Sequence, residues 1–455
     1  MKKILLSKGL HIGLIVFLVG FFLGINFRAS SAADDSAFKY LDFFHFVYQT
    51  IKTEYVEGAS PKVLLEGAMR GMLQALDDPY SRFLDEAEYA EFKEEVTGKF
   101  IGIGVEISSK DGEIVVVSPI DDTPAKKAGI CSGDIIVKID DLFTKGKQVS
   151  DIIKKIKGLP DSKVKILVRR DGIPELLEFN VKREPITVSS VKSGIMKEDP
   201  SIGYLHITHF YAETAVDTEK ALKDFNSKKV RKIILDLRDN PGGDMEAAIR
   251  MANLFLDPGK VIVSTRGREG SGISEEHKSD SKPVFTGELF VLVNGGSASA
   301  SEILSGALKD NGRAKLIGQK TFGKALVQRV IDVEDGKTGF TLTIRKYYTP
   351  SGAMIHKKGI SPDVVLAANN VPEEDRKNLG RAFNDKLFET FAKSHTDYTD
   401  ANRKQLEDFL REKGTPLSAK VSAYFFKQEL YKFKPTPLYD LEFDTELNKA
   451  LELGK

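Results

Sequence analysis

"KIILDLRDNPGGD", residues 232–244, opens on an apolar run and closes on a turn with two glycines. The run reads as a strand. Gly242 and Gly243 let the backbone approach something closely at the strand's end. A helix is expected after Gly243. Working outward, residues 201–368 keep alternating: "IGYLHI", a helix through Ala221, "KIILDLR", the helix after Gly243, "LFVLVN", and a helix from about Ser299. That alternation predicts an α/β core. Asp335-Gly336, between "LVQRVIDV" and "GFTLTIRKYY", signals a hairpin.

The flanks differ in texture. Residues 98–184 hold short apolar runs, "IGIGVEI", "EIVVVS", "DIIVKI" and "KVKILVRR", and read as a small β-rich domain. Residues 38–95 read as helical, with Leu41, Phe44, Tyr48, Ile51 and Tyr55 at helical spacing. Such an arm can pack on its own chain or on a copy of itself. After Asn370 the chain is charged and helical again. The expected fold is multidomain α/β: an α/β core, an inserted β-rich domain, and helical N- and C-terminal regions. The expected segments are 1–33, 34–97, 98–184, 185–368 and 369–455.

Composition narrows the function. The chain has 455 residues, 41% hydrophobic and 29% charged, with a formal net charge of +1. That balance favours globular domains and gives no support to nucleic-acid binding. One cysteine, Cys131, allows no intramolecular disulfide and no thiolate cluster for zinc. It is expected to be a small buried residue. Lys2, Lys3 and Lys8 precede an uncharged stretch from Gly9 to Phe27, followed by small residues up to Ala33. This is the order of an export signal, either cleaved or kept as a membrane anchor.

The chemistry points to "NGGSASASEILSGAL", Asn294 to Leu308. Ser297, Ser299 and Ser301 alternate ahead of a helix, with no histidine nearby in sequence. No HExxH pattern occurs. His206 and His209 sit three apart in or beside a strand, on opposite faces, which is poor for sharing a metal. No Gly-x-Ser-x-Gly elbow is present. Gly318 to Lys324 fits the start of a phosphate-binding loop. Ala325 then stands where Ser or Thr is needed, and a strand follows where a helix should. A buried lysine loses the hydration that favours its charge, and when neutral it can take a proton from a serine. Lys324 can therefore serve as base to one of the three serines, which spacing alone does not separate. Backbone N–H groups for an oxyanion are available at the helix after "SASASE" and in the Gly242–Gly243 turn.

Taken in order, "GIGVEI", "DLRDNPGGD", "NGGSASASEI" and "GQKTFGKALVQ" behind an export signal resemble the carboxy-terminal processing proteases. The resemblance covers roughly residues 38–368. It implies a serine endopeptidase with Ser299 as nucleophile, Lys324 as general base and Gln328 orienting the lysine. The oxyanion donors it implies are the N–H groups of Ala300 and of Gly242 or Gly243. If 324–328 is extended, Lys324 and Gln328 share a face. The β-rich segment then resembles a PDZ domain, which adds a peptide as a strand and holds its terminal carboxylate. The loop implied is Ile101, Gly102, Ile103 and Gly104, with Val105 beginning the pairing strand. No metal or other cofactor is implied. The implied partners are protein substrates with apolar C-terminal tails, a second copy of the chain, and an adaptor on the helical termini. The implied location is outside the cytoplasm, in the envelope. The alternative is a catalytically silent PDZ scaffold, although the serine, lysine and glutamine are all present.

Overall fold

The structure is a computed structural model. It describes residues 35–454 except 121, 334–335, 368–370 and 433–435. The export-signal stretch lies outside the described residues, as does Asp335 of the expected hairpin turn. No helix of the described residues is long and apolar enough to cross a membrane.

The chain divides into two compact units, one running to Glu86 with Val330–Leu342 added, the other holding the rest. In the first, α1 (Asp35–Glu54) and α2 (Pro61–Gln74) follow the expected periodicity. Pro61 opens α2, where its missing N–H costs nothing. The apolar side chains of α1 are exposed, Leu41 at 62% and Phe43 at 64%. A short strand, β1 (Arg82–Leu84), interrupts the helical region that the sequence predicted. It pairs antiparallel with Gly339–Thr341 and buries Phe83 and Leu84.

The second unit begins at Ala87, in the first turn of α3 (Glu86–Thr97). The β-rich segment follows: β2 (Lys99–Gly102), β3 (Val105–Lys110), β4 (Glu113–Pro119), α4 (Pro124–Ala128), β5 (Ile135–Ile139), β6 (Leu142–Phe143), α5 (Val149–Ile156), β7 (Lys163–Arg169), β8 (Leu177–Lys182) and β9 (Glu184–Thr187). Alternation on β7 sends Val164, Ile166 and Val168 inward. They meet Ile103, Ile114, Ile136 and Ile152 in a core separate from that of the α/β segment. The sheet order is β3-β4-β5-β7-β8, so β3 lies at an edge. Cys131 is exposed, not buried as expected. It sits in the turn after α4, where the preceding Ile130 takes the core position.

The α/β segment comprises β10 (Val191–Ile195), β11 (Ile202–Ile207), α6 (Thr214–Ser227), β12 (Lys232–Asp236), α7 (Met245–Asn253), β13 (Val261–Arg266), β14 (Ser274–Lys278), β15 (Glu288–Val293), α8 (Ala300–Asp310), β16 (Lys315–Gly318), β17 (Leu326–Asp332), β18 (Gly339–Tyr348) and β19 (Val364–Val365). Its main sheet runs β10-β11-β12-β15-β16-β19 and is parallel from β11 onward. The central strands are buried on both faces, as their continuous apolar runs require. One face packs on α6, α7 and α8. Because β12 and β15 are parallel neighbours, the loops leaving their C-terminal ends emerge side by side.

The C-terminal region is more than a solvated appendage. Four helices, α9 (Glu373–Asn384), α10 (Leu387–Ser394), α11 (Asp400–Glu412) and α12 (Ala419–Tyr431), share a core that includes Phe388, Phe391, Leu406 and Phe426. The chain then returns to the main sheet. α13 (Thr445–Leu453) lays Leu447 and Ala450 against Ile234, Phe290, Leu292 and Ile317, covering the sheet's second face. Its N-cap, Asp444, holds the half-buried Arg238 at 2.6 and 2.8 Å. Arg238 also grips Asp236 at the end of β12. Burial opposes the Arg238 charge, but Asp236 and Asp444 outweigh it and hold its pKa above the ordinary guanidinium value.

Candidate active site

Two loops build the site, 237–244 after β12 and 294–299 after β15. Side-chain hydrogen bonds join them. Asn294 bonds Asp239 twice: its Oδ1 accepts the Asp239 N–H, and its Nδ2 donates to the Asp239 Oδ1. The Ser297 hydroxyl donates to the Leu237 carbonyl at 2.7 Å, and that of Ser301 to the Asn240 carbonyl at 2.9 Å. Both serines are fully buried. Of the three serines that spacing left equivalent, two are therefore stitches between loops. Ser299 is the one with partial exposure. It caps α8 with φ +54° and ψ −112°. A positive φ at a residue with a Cβ costs about 1–3 kcal/mol and marks a backbone held by its surroundings.

Asn240 shapes the glycine turn. Its Nδ2 donates to the Ile207 carbonyl and its Oδ1 accepts the Gly242 N–H at 2.9 Å. A Cβ on Gly242 would lie 2.8 Å from the Ser299 Cβ and 2.9 Å from the Ala300 nitrogen, so the turn lies against the serine. Gly243 has φ +138°, and a Cβ there would stand 2.2 Å from the Phe210 carbonyl oxygen. Phe210 pins the turn, donating its N–H to Gly242 and accepting that of Asp244. Among the described residues the N–H groups of Gly243 and Ala300 have no acceptor. Gly243→Ala is expected to lower the melting temperature by several degrees and activity by about 100-fold, because strain and clash coincide. Gly259→Ala, also at positive φ but facing open space, is the control and should leave activity intact.

A second pair of segments meets beneath the serine. Residues 319–325 form a loop, and β17 begins only at Leu326. Lys324 thus lies two residues before the strand that carries Gln328. Gln328 lies in β17 and donates to Thr343 Oγ1 at 3.3 Å. Lys324 is half-buried. Glu302, wholly buried on the first turn of α8, ties its loop down. Oε1 accepts from the Thr321 hydroxyl at 2.6 Å and the Gly323 N–H at 2.8 Å. Oε2 accepts from the Ser299 N–H at 3.0 Å and the Lys324 N–H at 2.9 Å. Tyr347 in β18, also buried, reaches the carbonyls of Ser299 at 3.0 Å and Lys324 at 2.5 Å. Neither Glu302 nor Tyr347 was singled out from the sequence. Glu302 carried a signal: a glutamate three residues beyond a serine, the capping-box spacing. Tyr347 carried none.

The remaining sequence candidates lie elsewhere. Ile101 and Gly102 belong to β2 and pair with Pro185 and Glu184 on β9. Ile103 is buried, and Gly104, at φ +76°, is packed against Thr123. Val105 starts the edge strand β3. His206 and His209 are half-buried, and burial lowers the pKa of both. His209 stacks on Tyr211.

Comparison with known proteins places the chain in a family. The family description "Peptidase family S41" matches residues 201–366, and "PDZ domain" matches 101–182. "Activating protease CtpB N-terminal domain" matches 25–88. The carboxy-terminal processing protease CtpA of Bacillus subtilis is 40% identical over 337 residues, 74% of this chain and 70% of the relative. The chain belongs to the carboxy-terminal processing proteases. A second relative, from Bartonella bacilliformis, is 37% identical over 367 residues, covering 77% of this chain and 82% of its own length. A solved photosystem II D1 C-terminal processing protease is 32% identical, with a TM-score of 0.43 over 72% of this chain and 88% of the other. This protease is thus a serine-type endopeptidase carrying a PDZ domain.

Proposed function

We propose that the protease cleaves with a Ser-Lys dyad, Ser299 as nucleophile and Lys324 as general base. The observation that carries this is the contrast among the three serines. Ser297 and Ser301 are buried and spend their hydroxyls on loop carbonyls, while Ser299 is accessible at the head of α8. Neutral Lys324 takes the Ser299 proton as Oγ attacks the scissile carbonyl. The N–H groups of Ala300 and Gly243 hold the oxyanion. Gly242 is the weaker candidate, since its N–H is already given to Asn240. The intermediate collapses to an acyl-enzyme, and the leaving amine takes the proton from Lys324. Lys324 then deprotonates water, which releases the second product and restores Ser299. Gln328 orients the lysine. No metal or other cofactor takes part.

In this reading the segments are 34–97 helical, 98–184 PDZ, 185–368 protease core and 369–455 helical. The PDZ domain takes apolar C-terminal tails as a strand on β3, with Gly102 to Gly104 near the carboxylate. The position of β3 at the sheet edge supports this. The protease is exported and works on envelope proteins as a homo-oligomer, with an adaptor on its helical termini.

The test is covalent labelling of the full-length protein with a fluorophosphonate, followed by peptide mapping. Modification at Ser299, absent in Ser299→Ala and kept in Ser297→Ala and Ser301→Ala, is the expected result. Labelling at either other serine overturns the assignment.

A further inference from the structure

Nucleophile and base come from segments distant in sequence, so something must fix their separation. Glu302 Oε2 takes the N–H of Ser299 and the N–H of Lys324. The Tyr347 hydroxyl meets the carbonyl of Ser299 and the carbonyl of Lys324. Both peptide polar groups of each residue thus converge on two side chains, one gathering the N–H groups and the other the carbonyls. We propose that Tyr347 and Glu302 are positioning residues that cross-brace Ser299 to Lys324 and so set the distance over which the proton moves. The inference rests on the Ser-Lys reading above.

The brace is mounted rigidly. Tyr347 is 1% exposed and lies in the main core. It pairs with Thr265 of β13, and its own N–H goes to the Ala325 carbonyl. The ring is therefore held by the sheet, while only the hydroxyl touches the dyad. A phenylalanine fills the same core space. What the oxygen adds is one donor shared between two carbonyls, mainly that of Lys324 at 2.5 Å. Burial, and after it the nearby Glu302, raises the Tyr347 pKa well above the ordinary phenol value. The hydroxyl is thereby favoured as a proton donor to the two carbonyls. Glu302 braces the other side and at the same time fixes Thr321 and Gly323, which flank the lysine loop. Ser299 sits at positive φ, and its carbonyl also accepts the N–H groups of Glu302 and Ile303 at the head of α8, so the Tyr347 bond adds to a cap already formed.

The test is Tyr347→Phe in the full-length protein, read by cleavage of a peptide with an apolar C-terminus and by the rate of fluorophosphonate labelling. The expected result is kcat lower by about 10- to 100-fold, KM within about twofold, and labelling slowed in parallel, since a misplacement near 1 Å costs about that much. The pH midpoint of the acid limb of kcat/KM should also move, because the base has lost its fixed surroundings. Wild-type kcat, labelling rate and midpoint in the folded variant would overturn the brace. So would activity lost only in proportion to the unlabelled fraction, with the midpoint unmoved, which is the mark of a purely structural tyrosine. Wild-type protein that fails to label at Ser299 would overturn the Ser-Lys reading first, and the brace with it. That outcome is read before the variant is made, so the two failures are distinct.

Discussion

Lys324→Ala is expected to lower kcat/KM on the order of 10⁴-fold, a loss of the size that follows removal of a catalytic base. The fold should survive. The contacts that hold the lysine loop, from the Lys324 N–H to Glu302 and from Tyr347 to the Lys324 carbonyl, belong to the main chain and are kept by alanine. Lys324→Arg should recover nothing. A guanidinium stays protonated at any working pH, so it preserves charge and length but supplies no base. The pair of variants separates two roles for the residue. If positive charge alone mattered, arginine would rescue. If proton transfer matters, both variants fail alike. Steady-state kinetics with thermal melting as a control decides it, and turnover by either variant within tenfold of wild type would refute the dyad.

Glu302→Gln is expected to cost more than 100-fold in kcat and to lower the melting temperature by several degrees. The change is nearly isosteric, so the argument is one of donors and acceptors. Four donors point at the Glu302 carboxyl. An amide offers one acceptor oxygen and an NH₂ group. If the NH₂ replaces Oε2, it faces the N–H groups of both Ser299 and Lys324. If it replaces Oε1, it faces the N–H of Gly323. Either orientation leaves at least one buried N–H opposed by a donor, at about 1–3 kcal/mol for each unsatisfied group. Glu302→Asp should not rescue, because the shorter side chain cannot span both segments. Wild-type activity at an unchanged melting temperature in Glu302→Gln would show that the clamp is dispensable.

The alternation of strands and helices was legible because each element of a parallel sheet repeats one pattern: a short apolar run, a turn, an amphipathic helix. β11, β12 and β15 stand where that pattern put them. That the Gly242–Gly243 turn and the serine loop are neighbours was not readable from either motif. It follows from β12 pairing with β15 in parallel. The Lys324–Gln328 argument depends on an extended backbone through two residues that precede the strand, since β17 begins at Leu326. Tyr347 was hidden for a general reason. A tyrosine in a strand looks the same whether its hydroxyl meets solvent or a catalytic loop, and only tertiary pairing tells which. Helical periodicity after Asn370 was correct but silent about the surface each helix would cover. α9 to α12 cover one another, while α13 covers the protease sheet.

The return of α13 makes the main sheet depend on a helix far downstream in sequence. Arg238 and Asp444 are 206 positions apart. A ribosome delivers Ser299, Lys324 and the glycine turn long before it delivers Leu447 and Ala450. Until those arrive, Ile234, Phe290 and Leu292 form a bare apolar face, and Arg238 lacks its Asp444 partner. Contacts that close so long a loop form late, because the entropy of closure must be met first. A half-made chain therefore carries the Ser299 and Lys324 loops on a sheet with one apolar face uncovered.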